Sequence, residues 1–137
     1  MNRETPVSIH VQSVVNEGKD TETIEFQTTG QYYLKNNKIY LVYHEEHDLG
    51  KVKTTVKAHS GEVLIMRTGA IRMKQRFLPD VHTRTLYKMP FGELELGVET
   101  KEIDISSGTI RLVYDMLVDH DQRHLHTLTI AFKEEQG

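Results

Sequence analysis

From Val7 to Phe132 apolar and polar residues alternate with a period of two, interrupted only by turn signals. Successive side chains of a strand leave opposite faces, so the pattern predicts half-buried antiparallel strands. Its breaks divide it into about ten strands and leave almost no room for helix. Strands with one apolar face must stack as two sheets or close as one. The connections are short throughout, which favours an up-and-down meander closed into a β-barrel. No linker, repeat or low-complexity stretch divides the 137 residues, so residues 1–137 read as a single all-β domain.

Parity along the chain refines this reading. Val7, Ile9, Val11 and Val15 share one face, and Ile24, Phe26, Thr28, Gly30 and Tyr32 form the returning one. Asn36-Asn37, Ser60-Gly61 and Pro79-Asp80 mark turns. Gly69 interrupts an apolar row that resumes at Ile71, which predicts a bulge or a sharp bend. The inward set changes from even (Leu94, Leu96, Val98) to odd (Ile103, Ile105), so a bulge is expected near Thr100–Glu102. In the last hairpin both inward sets are even: Ile110 to His120, then His124 to Phe132. Facing residues must point the same way, so the loop has odd length. A three-residue loop, His120-Asp121-Gln122, is expected, because it sets Asp119 opposite Arg123 and Leu117 opposite Leu125. A five-residue loop keeps the parity but loses the Asp119–Arg123 pair.

Composition removes several classes of function. Cys is absent, which excludes disulfides, iron–sulfur clusters and thiol chemistry. The opening MNRETPVSIH lacks the apolar run of a signal peptide, and no stretch is long and apolar enough for a membrane-spanning helix. A cytoplasmic location without membrane association is therefore expected. The net charge of −3 conceals three blocks: −4 over residues 1–50, +7 over 51–90 and −6 over 91–137. A basic middle segment can attract nucleic acid, but a nucleic-acid binder usually carries a positive domain charge. The row Arg72, Lys74, Arg76 has no aromatic residue interleaved on its face. Nucleic acid is not the expected partner, and pairing of basic with acidic strands in one sheet accounts for the blocks.

The stretch Tyr87-Lys88-Met89-Pro90-Phe91-Gly92, followed by Glu93-Leu94-Glu95-Leu96-Gly97-Val98-Glu99-Thr100, resembles the most characteristic segment of a bacterial family of uncharacterised calycin-like β-barrel proteins. Gly30-Gln31-Tyr32-Tyr33, Tyr43-His44-Glu45, Arg67-Thr68-Gly69 and Ile110-Arg111-Leu112-Val113-Tyr114 fall in the expected order, so the resemblance covers nearly the whole chain. Met89 stands where family members more often carry Thr. The resemblance implies a lipocalin-like barrel, of a kind that often holds a small apolar ligand. It implies no particular activity, since fold does not dictate function.

The candidate functional residues are the polar exceptions on the apolar face. Arg67 follows Val63 and Ile65 in parity, and an inward guanidinium needs a carboxylate, carbonyls or an anionic ligand. Glu45 shares parity with Leu41 and Tyr43 and is its candidate internal partner. Tyr43 and Tyr114, like Tyr32, sit on inward parities and can line a polar-tipped cavity. Arg67, Glu45, Tyr43 and Tyr114 thus form a candidate ligand-binding set for a small apolar or anionic molecule. His124 and His126 leave one face of a strand and His120 lies across the turn, a weaker candidate for a metal site. His44 and His47 have opposite parity and diverge on a regular strand. No phosphate-binding, zinc-protease or nucleophile-elbow motif occurs, no catalytic set can be named, and no cofactor is implied. The competing expectation is an interaction module: a barrel filled by side chains, with a homodimer contact through Val113, Leu117, Leu125 and Ala131 on the outer face of the last hairpin.

Overall fold

The computed structural model describes residues 4–117 and 123–135. Ten strands follow one another: β1 (Thr5–Glu17), β2 (Asp20–Lys35), β3 (Lys38–His47), β4 (Gly50–His59), β5 (Glu62–Gly69), β6 (Met73–Phe77), β7 (His82–Met89), β8 (Gly92–Ser106), β9 (Thr109–Leu117) and β10 (Arg123–Glu134). No helix occurs among the described residues. Every pairing is antiparallel, and the sheet runs β6-β5-β4-β3-β2-β1-β10-β9-β8-β7. Consecutive strands from β1 to β6 and from β7 to β10 are therefore neighbours, and β1 joins β10 to wrap the meander into a nearly closed barrel.

The turns obey their local chemistry. Asn36 and Asn37 both take positive φ (52° and 64°), the backbone of a hairpin turn whose twist matches its strands. At Gly69 the expected bend is found: φ is 126°, and a Cβ would lie 2.4 Å from the Lys51 carbonyl oxygen. The chain doubles back there, so that Arg67 pairs with Met73 and Val63 with Phe77. The expected bulge also occurs, as a register shift between Thr100 and Glu102. It converts an inward even face into an inward odd one within a single strand.

The last hairpin corrects one expectation. Its odd-loop parity holds, but Leu117 pairs with Arg123, Met116 with His124 and Tyr114 with His126. Leu125 pairs with Asp115, so the expected Leu117–Leu125 pair is not formed, and the expected loop His120-Asp121-Gln122 lies outside the described residues. Arg123 instead reaches across the outer surface to Asp115 (3.2 Å) and Glu99 (3.0 Å). Asp115 also accepts from Lys101 at 3.4 Å, so two cations share its carboxylate.

Inward residues fill one end of the barrel. Ile9, Leu41, Val56, Val63, Phe77 and Ile110 are all fully buried there. Tyr32 stacks on Phe132 with ring centroids 5.5 Å apart at the same end, where β1 starts and β10 finishes. Cross-strand partners neutralise much of the basic block: Glu46 lies opposite Lys51, Lys88 opposite Glu93, and Arg76 pairs with Glu62 at 3.2 Å.

Two features leave the opposite end less tightly closed. The β2–β3 ladder runs only from Lys35↔Lys38 to Gly30↔Tyr43. Beyond it, residues 20–29 of β2 pair only with β1, and residues 44–47 of β3 pair only with β4. Gly30 stands where the strands part; a Cβ there would lie 2.3 Å from the Val42 carbonyl oxygen and 2.8 Å from the Ile9 side chain. Only glycine permits that approach. The second feature is the joint between β6 and β7. Its main-chain bonds are those of one bridge, Arg72 N to Lys88 O (2.9 Å) and Lys88 N to Arg72 O (2.8 Å). Below the bridge, side chains take over. Gln75 Nε2 donates to Thr83 Oγ1 at 3.2 Å, and Thr85 Oγ1 donates to Gln75 Oε1.

Candidate functional site

The less tightly closed end encloses a cavity of about 320 Å³. This is at the lower edge of the usual range for small-molecule sites, about 300–1,000 Å³. Most of the wall is apolar, including Ile24, Phe26, Ile65, Met73, Leu96 and Leu128. Ile24 and Phe26 line it from one side of the β2–β3 split, Tyr43 and Glu45 from the other. The hydrophobic core continues beneath, so the barrel is filled at one end and hollow at the other. The expectation of an interior filled throughout by side chains is corrected accordingly.

A compact polar group sits in this apolar wall. Arg67 on β5 donates through Nη2 to Glu45 Oε1 on β3 at 3.3 Å. Thr54 on β4, the strand between them, donates to the other carboxylate oxygen, Oε2. The alternating pattern brings all three inward, and the register sets Thr54 directly opposite Arg67. Arg67 Nε is buried and makes no hydrogen bond among the described residues. A buried guanidinium normally satisfies its donors, so this N–H is an unmet demand within the wall.

Tyr43 and Tyr114 flank the group. Burial, reinforced by the neighbouring Glu45 carboxylate, holds the Tyr43 phenol well above its ordinary range, with Arg67 opposing. Burial pushes Tyr114 up to about 12, again against the pull of Arg67. Both phenols therefore stay protonated near neutral pH. His126 stacks on Tyr114, with ring centroids 5.0 Å apart and planes 14° from parallel. Its Nε2 is likewise buried without a hydrogen-bond partner among the described residues. Burial, and then the nearby His124, lower its pKa below 6.5, while Glu17 and Asp115 pull the other way.

Arg67, Glu45, Tyr43 and Tyr114, separated in sequence, thus surround one cavity. Arg67 points inward, as expected, and is paired internally with Glu45. His124 and His126 share a face as expected, but their contacts differ. His124 Nδ1 lies 3.5 Å from Glu17, whereas His126 packs on Tyr114. His120 falls outside the described residues. Among the described residues no group of three or more His, Asp or Glu is placed to hold a metal ion. The outer residues Val113, Leu117, Leu125 and Ala131 are each partly covered within the single chain.

The structure adds residues to the site that sequence reasoning did not select. Thr54, Gln75, Tyr87, Met116 and Ser13 all line the cavity. Thr54 and Gln75 lie on inward parities, the one signal in the sequence that points to them. Tyr87 adjoins Leu86, so parity leaves its direction open; in the structure it pairs with Leu94 and lines the cavity.

Comparison with known proteins places this barrel. Residues 9–130 match a family described as "Domain of unknown function (DUF1934)". The chain belongs to this family. It is 53% identical over 137 residues to the uncharacterized beta-barrel protein YwiB of Bacillus subtilis (strain 168), covering 97% of this chain and 96% of that protein. The crystal structure of the ywiB protein from Bacillus subtilis has a TM-score of 0.88 at 51% identity, covering 97% of this chain and 94% of that one. The family's barrel is therefore the fold of this chain, and the expected bacterial β-barrel relationship holds.

Proposed function

We propose that this chain is a non-enzymatic binding protein whose half-hollow, calycin-like barrel takes up a small apolar or amphipathic molecule. The observation that carries this reading is the coexistence of an apolar cavity with buried polar groups lacking partners, Arg67 Nε and His126 Nε2. A cavity meant only to be filled gains nothing from an unsatisfied guanidinium N–H, whose desolvation is costly. A ligand that lays its apolar part on Ile24, Phe26 and Leu128 and presents a polar end to Arg67 resolves that cost.

The test is titration of the purified protein with a neutral naphthylamine fluorophore, read by emission enhancement. Saturable enhancement with one site per chain is expected in the unmodified protein. Met116→Trp, which fills the cavity from β9, should remove it while the circular dichroism spectrum stays that of a β-barrel. Enhancement unchanged in Met116→Trp, or none in either protein, would overturn the reading.

A further inference from the structure

We infer that the cavity is built for a neutral hydrogen-bond acceptor, such as the carbonyl oxygen of an ester or ketone, in preference to a carboxylate. This deepens the proposed binding role and rests on it. Among the described residues lining the cavity, Arg67 and Glu45 are the two of fixed charge, and they are already matched to each other. Glu45 is fully engaged, with Oε1 accepting from Arg67 and Oε2 from Thr54. The buried donor of Arg67 that has no partner among the described residues is the N–H at Nε, beside the Glu45 carboxylate that Nη2 already holds. A carboxylate at that N–H would be attracted by Arg67 and repelled by Glu45 beside it. The two effects largely cancel, and the cost of dehydrating the anion stays uncompensated. A carbonyl oxygen meets the same N–H at a far smaller dehydration cost.

The remaining polar wall is consistent with a neutral head. Tyr43, Tyr114, Gln75 and Ser13 bring neutral groups to the cavity. His126 is faced by His124 on its own strand, Glu17 on β1 and Tyr114 and Asp115 on β9. Above pH 7 it adds no charge, so its Nε2 offers a neutral hydrogen bond. In volume the cavity matches about ten water-sized groups, which sets the ligand at a compact amphiphile.

The experiment is displacement of the naphthylamine fluorophore at pH 8 by methyl octanoate and by octanoate. Any apolar cavity favours the ester, so the deciding quantity is how the ratio changes when the charge balance is altered. In the unmodified protein the ester should displace at a concentration at least tenfold lower. Glu45→Gln keeps the shape and a contact to Thr54 but leaves the Arg67 charge unmatched, so octanoate should gain at least tenfold relative to the ester. Arg67→Gln leaves the opposite charge and should move the ratio the other way; it serves if Glu45→Gln does not fold. Octanoate binding as tightly as the ester in the unmodified protein, or a ratio insensitive to both substitutions, would overturn the inference. Failure of the fluorophore itself to bind is a separate outcome, which removes the binding role rather than the selectivity.

Discussion

Arg67 and Glu45 meet inside the barrel across an intervening strand, 3.3 Å apart, with Thr54 of that strand holding the second carboxylate oxygen. Their side chains remain about one-fifth exposed (21% and 16%), so the pair is neither a surface contact nor a fully buried one. Glu45→Ala leaves a guanidinium without its counter-charge in a mostly apolar wall. We expect a loss of about 1–3 kcal/mol, below the ~3–5 kcal/mol of a fully buried pair. The combined Glu45→Gln, Arg67→Met replacement should restore most of it, since no unmatched charge remains. Urea unfolding of the single and combined variants measures this; a combined variant as weak as the sum of two separate losses would argue against it.

His126 makes stability depend on pH in a definite direction. Its pKa in the folded chain lies below the ordinary 6.5, because burial and then His124 disfavour its charged form. The unfolded chain consequently binds more protons just below that ordinary value, and stability rises with pH there. The contribution is complete above about pH 6.5 and declines as the pH falls towards the folded pKa. His126→Phe keeps a ring on Tyr114 and should flatten this part of the profile. Melting temperatures recorded between pH 7.5 and pH 5 supply the comparison, and an unchanged slope in the variant would refute the assignment.

The β6–β7 joint relies on side chains where a ladder would otherwise run. Thr85 is buried and is the hydroxyl donor to Gln75 Oε1. Thr85→Val preserves shape but leaves that oxygen unsatisfied, at a cost of about 1–3 kcal/mol. Gln75→Leu added to it should recover part of the loss. Hydrogen exchange should show the change concentrated in β6 and β7; a uniform increase over all strands would mean the joint has no local role.

Gly30 gives a prediction that depends on geometry alone. Its absent side chain makes room for the Val42 carbonyl and Ile9. Gly30→Ala should destabilise by about 1–3 kcal/mol, as overpacking does. Gly18→Ala, at a turn where a Cβ meets nothing within 4 Å, should be milder despite its φ of 60°. Equal losses measured by thermal unfolding would remove the proposed role of the close approach.

Much of this barrel was legible in the order of residues because strand periodicity is rigid. Parity located the bulge at Thr100–Glu102, the bend at Gly69 and the inward direction of Arg67 and Glu45. It could not set the length of the last loop, since three and five residues satisfy the same parity. There the register sets Arg123 opposite Leu117 and brings it to Asp115 and Glu99, residues of other strands that no local pattern brings near. The hollow end was equally out of reach. Its existence depends on strand tilt and on β2 leaving β3 at Gly30, neither of which side-chain size along one strand determines. Thr54 and Gln75 were missed for a chemical reason: small or uncharged polar residues fit strand patterns without standing out.

The position of β1 has a consequence for how the chain comes to be made. It is hydrogen-bonded to β2 on one side and to β10 on the other, pairing Val7 with Glu134. As the chain is made, β1 must therefore wait for β10 before its second edge is covered. During synthesis the segment from Val7 to Val15, apolar on one face, presents an open strand edge to every neighbouring chain. Ring closure between the two ends of the sequence is among the slowest contacts a chain can make. Nascent chains are thus most exposed to aggregation at β1 until β10 has been made.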